Sequence, residues 1–318
     1  MSDAGDSSQA FAEALSRGNP DALAAFPKGD RHCHSIMSAS LESIRAWSGK
    51  PVKSPPARMA DFNAMRAYMH SELYPVIFNQ AGFEFAAERA VRESVQDGVR
   101  ILEMSFDVNF IQFYGAGVRG FLDFILSLAS KYRDCLKFRP EVGVSKGRDA
   151  STQCRLAEAC VDSDVFGSID LYGNEYSEEP EAYSALYRRA KARNVKLKAH
   201  VGEFGDARHV ERTIHALDLQ EIQHGVAAAA SKPLMDQLRR KGIRLNVCPS
   251  SNVALSIAPD LAHHPIRILI DNGIRVSINS DDKTIFGKTV SEEYLGLYLA
   301  GTLNAEELDA VRRDSLVD

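Results

Sequence analysis

Eight short β-forming runs, most followed by a stretch of helical period, are the feature that most limits how this chain can fold. The runs cover 30–35, 100–106, 137–142, 168–171, 195–201, 221–224, 243–248 and 275–279. Helical periodicity is clear over 83–97, 120–132, 181–193, 207–217 and 232–241, and a further helix is expected over 8–16. Eight strands alternating with helices predict an α/β chain folded as a (β/α)8 TIM barrel. A doubly wound sheet is the competitor, but no glycine-rich dinucleotide turn follows the first strand.

One segment breaks the rhythm. Residues 38–98 separate the first strand from the second and hold the proline-rich patch at 51–56. A helical insertion of that length at a βα connection is where a barrel builds a lid or pocket. Phe62, Met65, Met69 and Leu73 sit at helical spacing within it, and the expectation is a helix packed on the barrel rim. Residues 1–318 are read as a single barrel domain, with 1–25 an N-terminal arm and helix.

At 45% hydrophobic and 25% charged residues, disorder is excluded as the main state. A net charge of −5 argues against a nucleic-acid-binding surface, though not against a nucleobase or nucleotide ligand. Asp3 and Asp6 interrupt the N-terminus, and the stretch 121–129 is far too short to span a bilayer, so neither leader nor membrane anchor is expected. Five scattered cysteines form no Cys-x-x-Cys pair and fit a reducing cytoplasm.

Chemistry gathers at the ends of the predicted strands. His32 and His34, two apart on the first strand, project to one face as half of a zinc coordination shell, with Cys33 turned away as a small core residue. His200 ends the fifth strand, and Gly202 and Glu203 follow, placing a carboxylate suited to acid–base work at the same opening. His224 ends the sixth strand. Asp281 and Asp282 end the eighth, where adjacent carboxylates repel unless a cation or a shared proton relieves them. A polar strand-end pair, a solvated loop charge or an Asp-Asp turn would explain each cluster alone. All four at the same strand ends indicate a metal site.

His32-x-His34, His200-Val-Gly-Glu203, Gln223-His224-Gly225, Asn246-Val-Cys-Pro-Ser-Ser-Asn252, His264-Pro265 and Ser277-Ile-Asn-Ser-Asp-Asp282 resemble, in order and spacing, the adenosine deaminase family. Phe26-Pro27-Lys28 and Asp170-Leu-Tyr-Gly173-Asn-Glu175 are similar to family segments too, so the resemblance spans about 26–315. It implies a metal-dependent amidohydrolase barrel with one Zn2+ per chain on His32, His34, His200 and Asp281. It further implies Glu203 as proton shuttle to the substrate ring and His224 as the group that orients the attacking hydroxide. Asp282 and the backbone of Gly173 would bind the purine edges, and His34 would border the substrate.

Two departures bear on the substrate. The family continues its first motif with Leu-Asp-Gly, whose carboxylate helps recognise ribose, where this chain has Ser35-Ile36-Met37. Lys283 stands where the family commonly has proline. The expected activity is hydrolytic deamination of a 6-aminopurine-like small molecule (base, nucleoside or modified nucleoside) with release of ammonia. The alternatives are a related barrel hydrolase that opens a cyclic amide or ester, and a catalytically silent binding protein. The presence of Glu203 argues against the second, because a scaffold needs no general acid.

Overall fold

A computed structural model describes residues 3–317. The eight strands are β1 Lys28–His34, β2 Val99–Asp107, β3 Lys137–Ser145, β4 Ser168–Tyr172, β5 Lys196–Val201, β6 Glu221–His224, β7 Arg244–Val247 and β8 Val276–Ile278. They lie side by side in chain order, each parallel to the next. Cys33 pairs with Asp281 just beyond β8, and the Asp281 N–H donates to the His32 carbonyl at 3.1 Å. The fold is the expected TIM barrel. Each predicted strand is present within a few residues, and the helices Ala207–Leu217 and Lys232–Lys241 match their predicted bounds. The helix expected over 181–193 begins instead as a 3-10 turn, Pro180–Tyr183, before Ser184–Ala192, with Pro180 opening the turn.

The strands explain their own burial. Outward positions are apolar, as in Leu102, Met104 and Phe106 on β2 and Leu197, Ala199 and Val201 on β5, and pack under the helices. Inward positions carry charge, whereas barrel interiors are usually filled with branched aliphatics. Lys198, wholly buried, forms ion pairs with Glu103 and Glu141 and lies 3.5 Å from Glu221. Arg31 reaches Glu103 at 2.8 Å, and Arg244 reaches Glu221 at 3.5 Å. Burial pushes the Glu141 carboxyl up to about 7 despite the Lys198 ammonium beside it.

Simple alternation would not put Arg31 and His32 both inside. One extra residue in β1, between Asp30 and Cys33 opposite Leu102 and Met104, makes a bulge that does so. Arg31 thus joins the ionic layer while His32 and His34 rise above it.

The insertion folds as Leu41–Ser48, Phe62–Tyr68, a π-helical turn Met69–Leu73, Tyr74–Ile77 and Gln80–Gln96. Ser40, Asp61 and Asn79 cap three of these helices through their side chains. Glu93 bolts the last helix to the barrel: it pairs with Lys283 and accepts from Ser40 and Ser43. Lys283, the departure from proline noted above, is therefore an anchor. None of the five cysteines forms a disulfide, and no helix among the described residues is long and apolar enough to cross a membrane.

The ionic layer generates a test. Lys198→Met leaves three buried carboxylates without their shared cation, and breaking a buried pair in this way costs about 3–5 kcal/mol. The variant's urea unfolding midpoint should fall accordingly. A loss below about 1 kcal/mol would mean that the carboxylates simply take up protons.

Candidate active site

The barrel mouth collects what the strands carry. His32 lies at the centre, its ring centroid 5.1 Å from that of His34, 4.6 Å from His200 and 5.0 Å from His224. Asp281 enters from the closing edge: Oδ1 is 3.3 Å from His32 Nε2 and 3.7 Å from His34 Nε2, and Oδ2 is 3.8 Å from His224 Nε2. Three groups of donor atoms lie each within 4.8 Å: one from His32, His34 and His200, one from His32, His224, Cys248 and Asp281, and one from His34, Asp281 and Asp282. Burial pushes the Cys248 thiol well up, with the nearby carboxylates adding to the effect, which disfavours its thiolate form.

Protonation states follow from burial and neighbours. Burial and the adjoining imidazoles lower the pKa of His32 and bring His34 down to about 3. Burial alone would raise Asp281, but the surrounding histidines outweigh it and hold the carboxyl below its ordinary range. Neutral rings around an ionised carboxylate are the state that a divalent cation requires. His200 differs because its Nδ1 meets Asp170 Oδ1 at 3.0 Å, and that carboxylate raises its pKa against burial. A carboxylate on one ring nitrogen leaves the other aimed at the mouth, the usual arrangement behind a metal ligand.

Two site residues adopt a backbone conformation that side chains normally avoid: His224 at φ 60° and Asp281 at φ 56°. Such residues cost of order 1–3 kcal/mol each and persist where the surrounding structure over-determines them. Here β6 ends and the barrel closes at those two positions.

Glu203 occupies a turn built for it. Gly202 has φ 72°, and a Cβ there would come within 2.4 Å of Val210. Glu175, buried in the loop after β4, accepts from the N–H groups of Gly202 (2.6 Å), Phe204 (2.8 Å) and Gly205 (2.9 Å). The turn is thereby clamped on both sides of Glu203, whose Oε1 lies 3.7 Å from His224 Nε2. Burial, reinforced by the Asp281, Glu175 and Asp282 carboxylates, pushes the Glu203 pKa well up. Asp282 is raised in the same way by burial and by Asp281, and its Oδ1 is buried without a hydrogen-bond partner. Both carboxyls are therefore biased toward the protonated form.

These groups open into a cavity of about 360 Å³, of the size that holds small organic ligands. His34, His200, Glu203, His224, Asp281 and Asp282 line its floor, with Gly173 and Ile36 on its walls. Phe62, Met65 and Met69 line it as well, while Leu73 is wholly buried. The apolar stripe of the insertion is thus a wall of the cavity, which corrects the expectation that it merely packs on the rim. The reason is the insertion's path, which carries the first turns of that helix across the mouth.

The family model for adenosine deaminase matches residues 53–317. The chain belongs to the adenosine deaminase family. It is a hydrolase acting on C–N bonds, of the adenine/adenosine deaminase type that works on purine substrates. A putative adenosine/adenine deaminase of Treponema pallidum is 34% identical over 90% of this chain and 97% of its own length. The crystal structure of adenine deaminase from Arthrobacter aurescens superposes with a TM-score of 0.80 at 20% identity, covering 91% of this chain and 92% of that one. An amidohydrolase from Burkholderia ambifaria, solved with bound Zn, gives 0.78 at 21% identity over 94% and 86%. The matched family segment begins after His32 and His34, so their place in the site stands on the geometry above.

Every site residue expected from the sequence is brought to this one mouth. Other residues there carried no signal of their own. Asp107 ends β2 and accepts from Tyr172 (2.7 Å), from the Asn109 backbone (2.7 Å) and from Ser145. Asp170 and Glu175 fell within a recognised segment but without a role. In a deaminase of this family, Glu175 would act by holding Glu203. Glu175→Ala should lower turnover by about 10²-fold, the cost of a small misplacement of a reacting group, while metal content is unchanged. Turnover within threefold of wild type would show that the turn holds itself.

Proposed function

We propose that the protein is a zinc-dependent hydrolytic deaminase of a 6-aminopurine, with one ion per chain held by His32, His34, His200 and Asp281. The observation that carries this reading is His32: wholly buried, with neither ring nitrogen in a well-formed hydrogen bond and its Nε2 3.3 Å from the Asp281 carboxylate, among the other imidazoles. A buried polar group left unpaired costs about 1–3 kcal/mol, which a coordinated cation removes. Three imidazoles and a carboxylate form a donor set that zinc accepts, and the zinc-bound Burkholderia ambifaria amidohydrolase supports that choice of metal. When bound, the ion supplies acidification of a water molecule.

The chain's own residues account for the rest. Glu203, held protonated, gives its proton to the ring nitrogen next to the carbon under attack. Asp282, also protonated, donates to another ring nitrogen, and the Gly173 backbone meets the opposite edge. His224 orients the incoming water. Water adds and one of its protons returns to Glu203, the hydroxyl proton of the adduct passes to the amino group, ammonia departs, and an oxo-purine with its ring N–H remains. We read the chain as one hydrolase domain working in the cytoplasm, where its unpaired cysteines stay reduced.

The sugar end supports a restricted substrate. Ile36 offers no acceptor to a ribose hydroxyl, and Asp107, a neighbouring carboxylate on the cavity wall, is occupied by its own donors. A buried hydroxyl without a partner is disfavoured, so a free base or a purine with an altered sugar fits better than adenosine. Two measurements test the reading. Glu203→Gln should lower ammonia release by about 10²–10⁴-fold with metal retained, whereas His200→Ala should lose the metal. Activity within a few-fold in the first variant, or stoichiometric zinc in the second, would remove the assigned role. Side-by-side kcat/KM values should place adenosine at least about tenfold below the preferred purine, with Ile36→Asp narrowing the gap. Near-diffusion-limited turnover of adenosine by the wild type would end that argument.

A further inference from the structure

Asn252 and His264 belong to motifs noted in the sequence, yet the reaction as described gives neither a task. Both are buried. They stand in line behind His224, at the end of a hydrogen-bond chain whose direction is set by a backbone amide. The Ile266 N–H, first in the helix Ile266–Asp271 and so without an intrahelical acceptor, donates to His264 Nδ1 at 3.1 Å. His264 Nε2 lies 3.2 Å from Asn252 Oδ1, and Asn252 Nδ2 lies 3.2 Å from His224 Nδ1. We infer that this chain fixes His224 in the tautomer carrying its proton on Nε2, making it a hydrogen-bond donor to the reaction centre, with Asn252 and His264 as positioning residues.

Each step follows from what its donor can do. A backbone N–H can only donate, so His264 Nδ1 must offer a lone pair. A neutral ring then carries its proton on Nε2 and gives it to the Asn252 carbonyl oxygen. That bond fixes the amide's orientation and turns its NH₂ toward His224. An amide NH₂ donates only, so His224 Nδ1 must be bare, and the single proton of the neutral ring sits on Nε2. Nε2 is the nitrogen that faces Glu203 Oε1 at 3.7 Å and Asp281 Oδ2 at 3.8 Å. Reversing any link sets two donors or two acceptors against each other in a site where His224, Asn252 and His264 are at most 2% exposed. Burial supports the neutral state of the His264 ring, bringing it down to about 4.

The consequence is a division of labour. His224 holds an acceptor oxygen in place and is not the base that takes its proton, so proton transfer falls to Glu203. This consequence rests on the deaminase reading above, but the tautomer itself does not. The test is a long-range ¹H–¹⁵N spectrum of the histidine rings in ¹⁵N-labelled, full-length metalloprotein at neutral pH, with His224 assigned by its loss in His224→Ala. The expected pattern is a protonated Nε2 and a bare Nδ1. A proton on Nδ1, or averaging between the two forms, overturns the inference.

Asn252→Asp keeps the shape but replaces the donor with an acceptor. It should draw a proton onto His224 Nδ1 and lower kcat by about 10²–10⁴-fold, as wrong-tautomer substitutions do elsewhere, with KM changed less than threefold. An unchanged His224 signal in that variant also overturns the inference, and should the variant not fold, the wild-type spectrum decides alone. If the donor tautomer is seen but no purine releases ammonia, the reaction assignment fails while the tautomer stands. If purines release ammonia but Nδ1 carries the proton, only the tautomer fails.

Discussion

Lys198 is the charge on which the rest of this barrel stands. Three glutamates from three strands face it inside the barrel, and none could remain there ionised without a cation. Arg31 and Arg244 extend the pairing to the barrel floor, where Arg31 also bonds the carbonyls of Ser315 and Val317. An interior held by ion pairs is less forgiving than an aliphatic one, because each charge needs its partner at hydrogen-bond distance. That intolerance gives a stiff base. His200 rises from β5 two residues beyond Lys198, so the ammonium that knits the strands also sets the height of a candidate metal ligand.

The site lies where the barrel closes. Asp281 pairs with β1 through its backbone and meets three imidazoles through its side chain, so closing the sheet and assembling the candidate metal donors are one event. The left-handed backbone at Asp281 and His224 fits this account: local preference yields to the demand that both side chains face the mouth. Polar chains behind the mouth remove the remaining freedom. Asp170 holds His200, Glu175 holds the Glu203 turn, and Asn252 holds His224. The side chains at the mouth are thus fixed in orientation by the fold itself, the condition under which electrostatic catalysis is most effective.

The strands were legible because β-branched runs and helical periodicity are local properties, and eight repetitions leave few architectures. The groups on the floor of the mouth were legible for a related reason: each ends a strand, and strand ends in such barrels converge. What alternation could not reveal was the bulge in β1 that turns Arg31 and His32 inward together, since it depends on pairing with β2. Nor did the stripe of Phe62, Met65 and Met69 announce a cavity wall, because an apolar helix face reads the same against a core or a ligand.

By itself, then, the sequence determined the barrel, the residues at its mouth, the cluster of candidate metal donors there and the family whose motifs it carries. Tertiary structure alone decided which charges share the interior with Lys198, which backbone amides Glu175 clamps, and which way the hydrogen bonds run from Ile266 to His224. These are relations between residues far apart in the chain. Their energies depend on distance, burial and donor direction, quantities that exist only once the strands have been brought side by side.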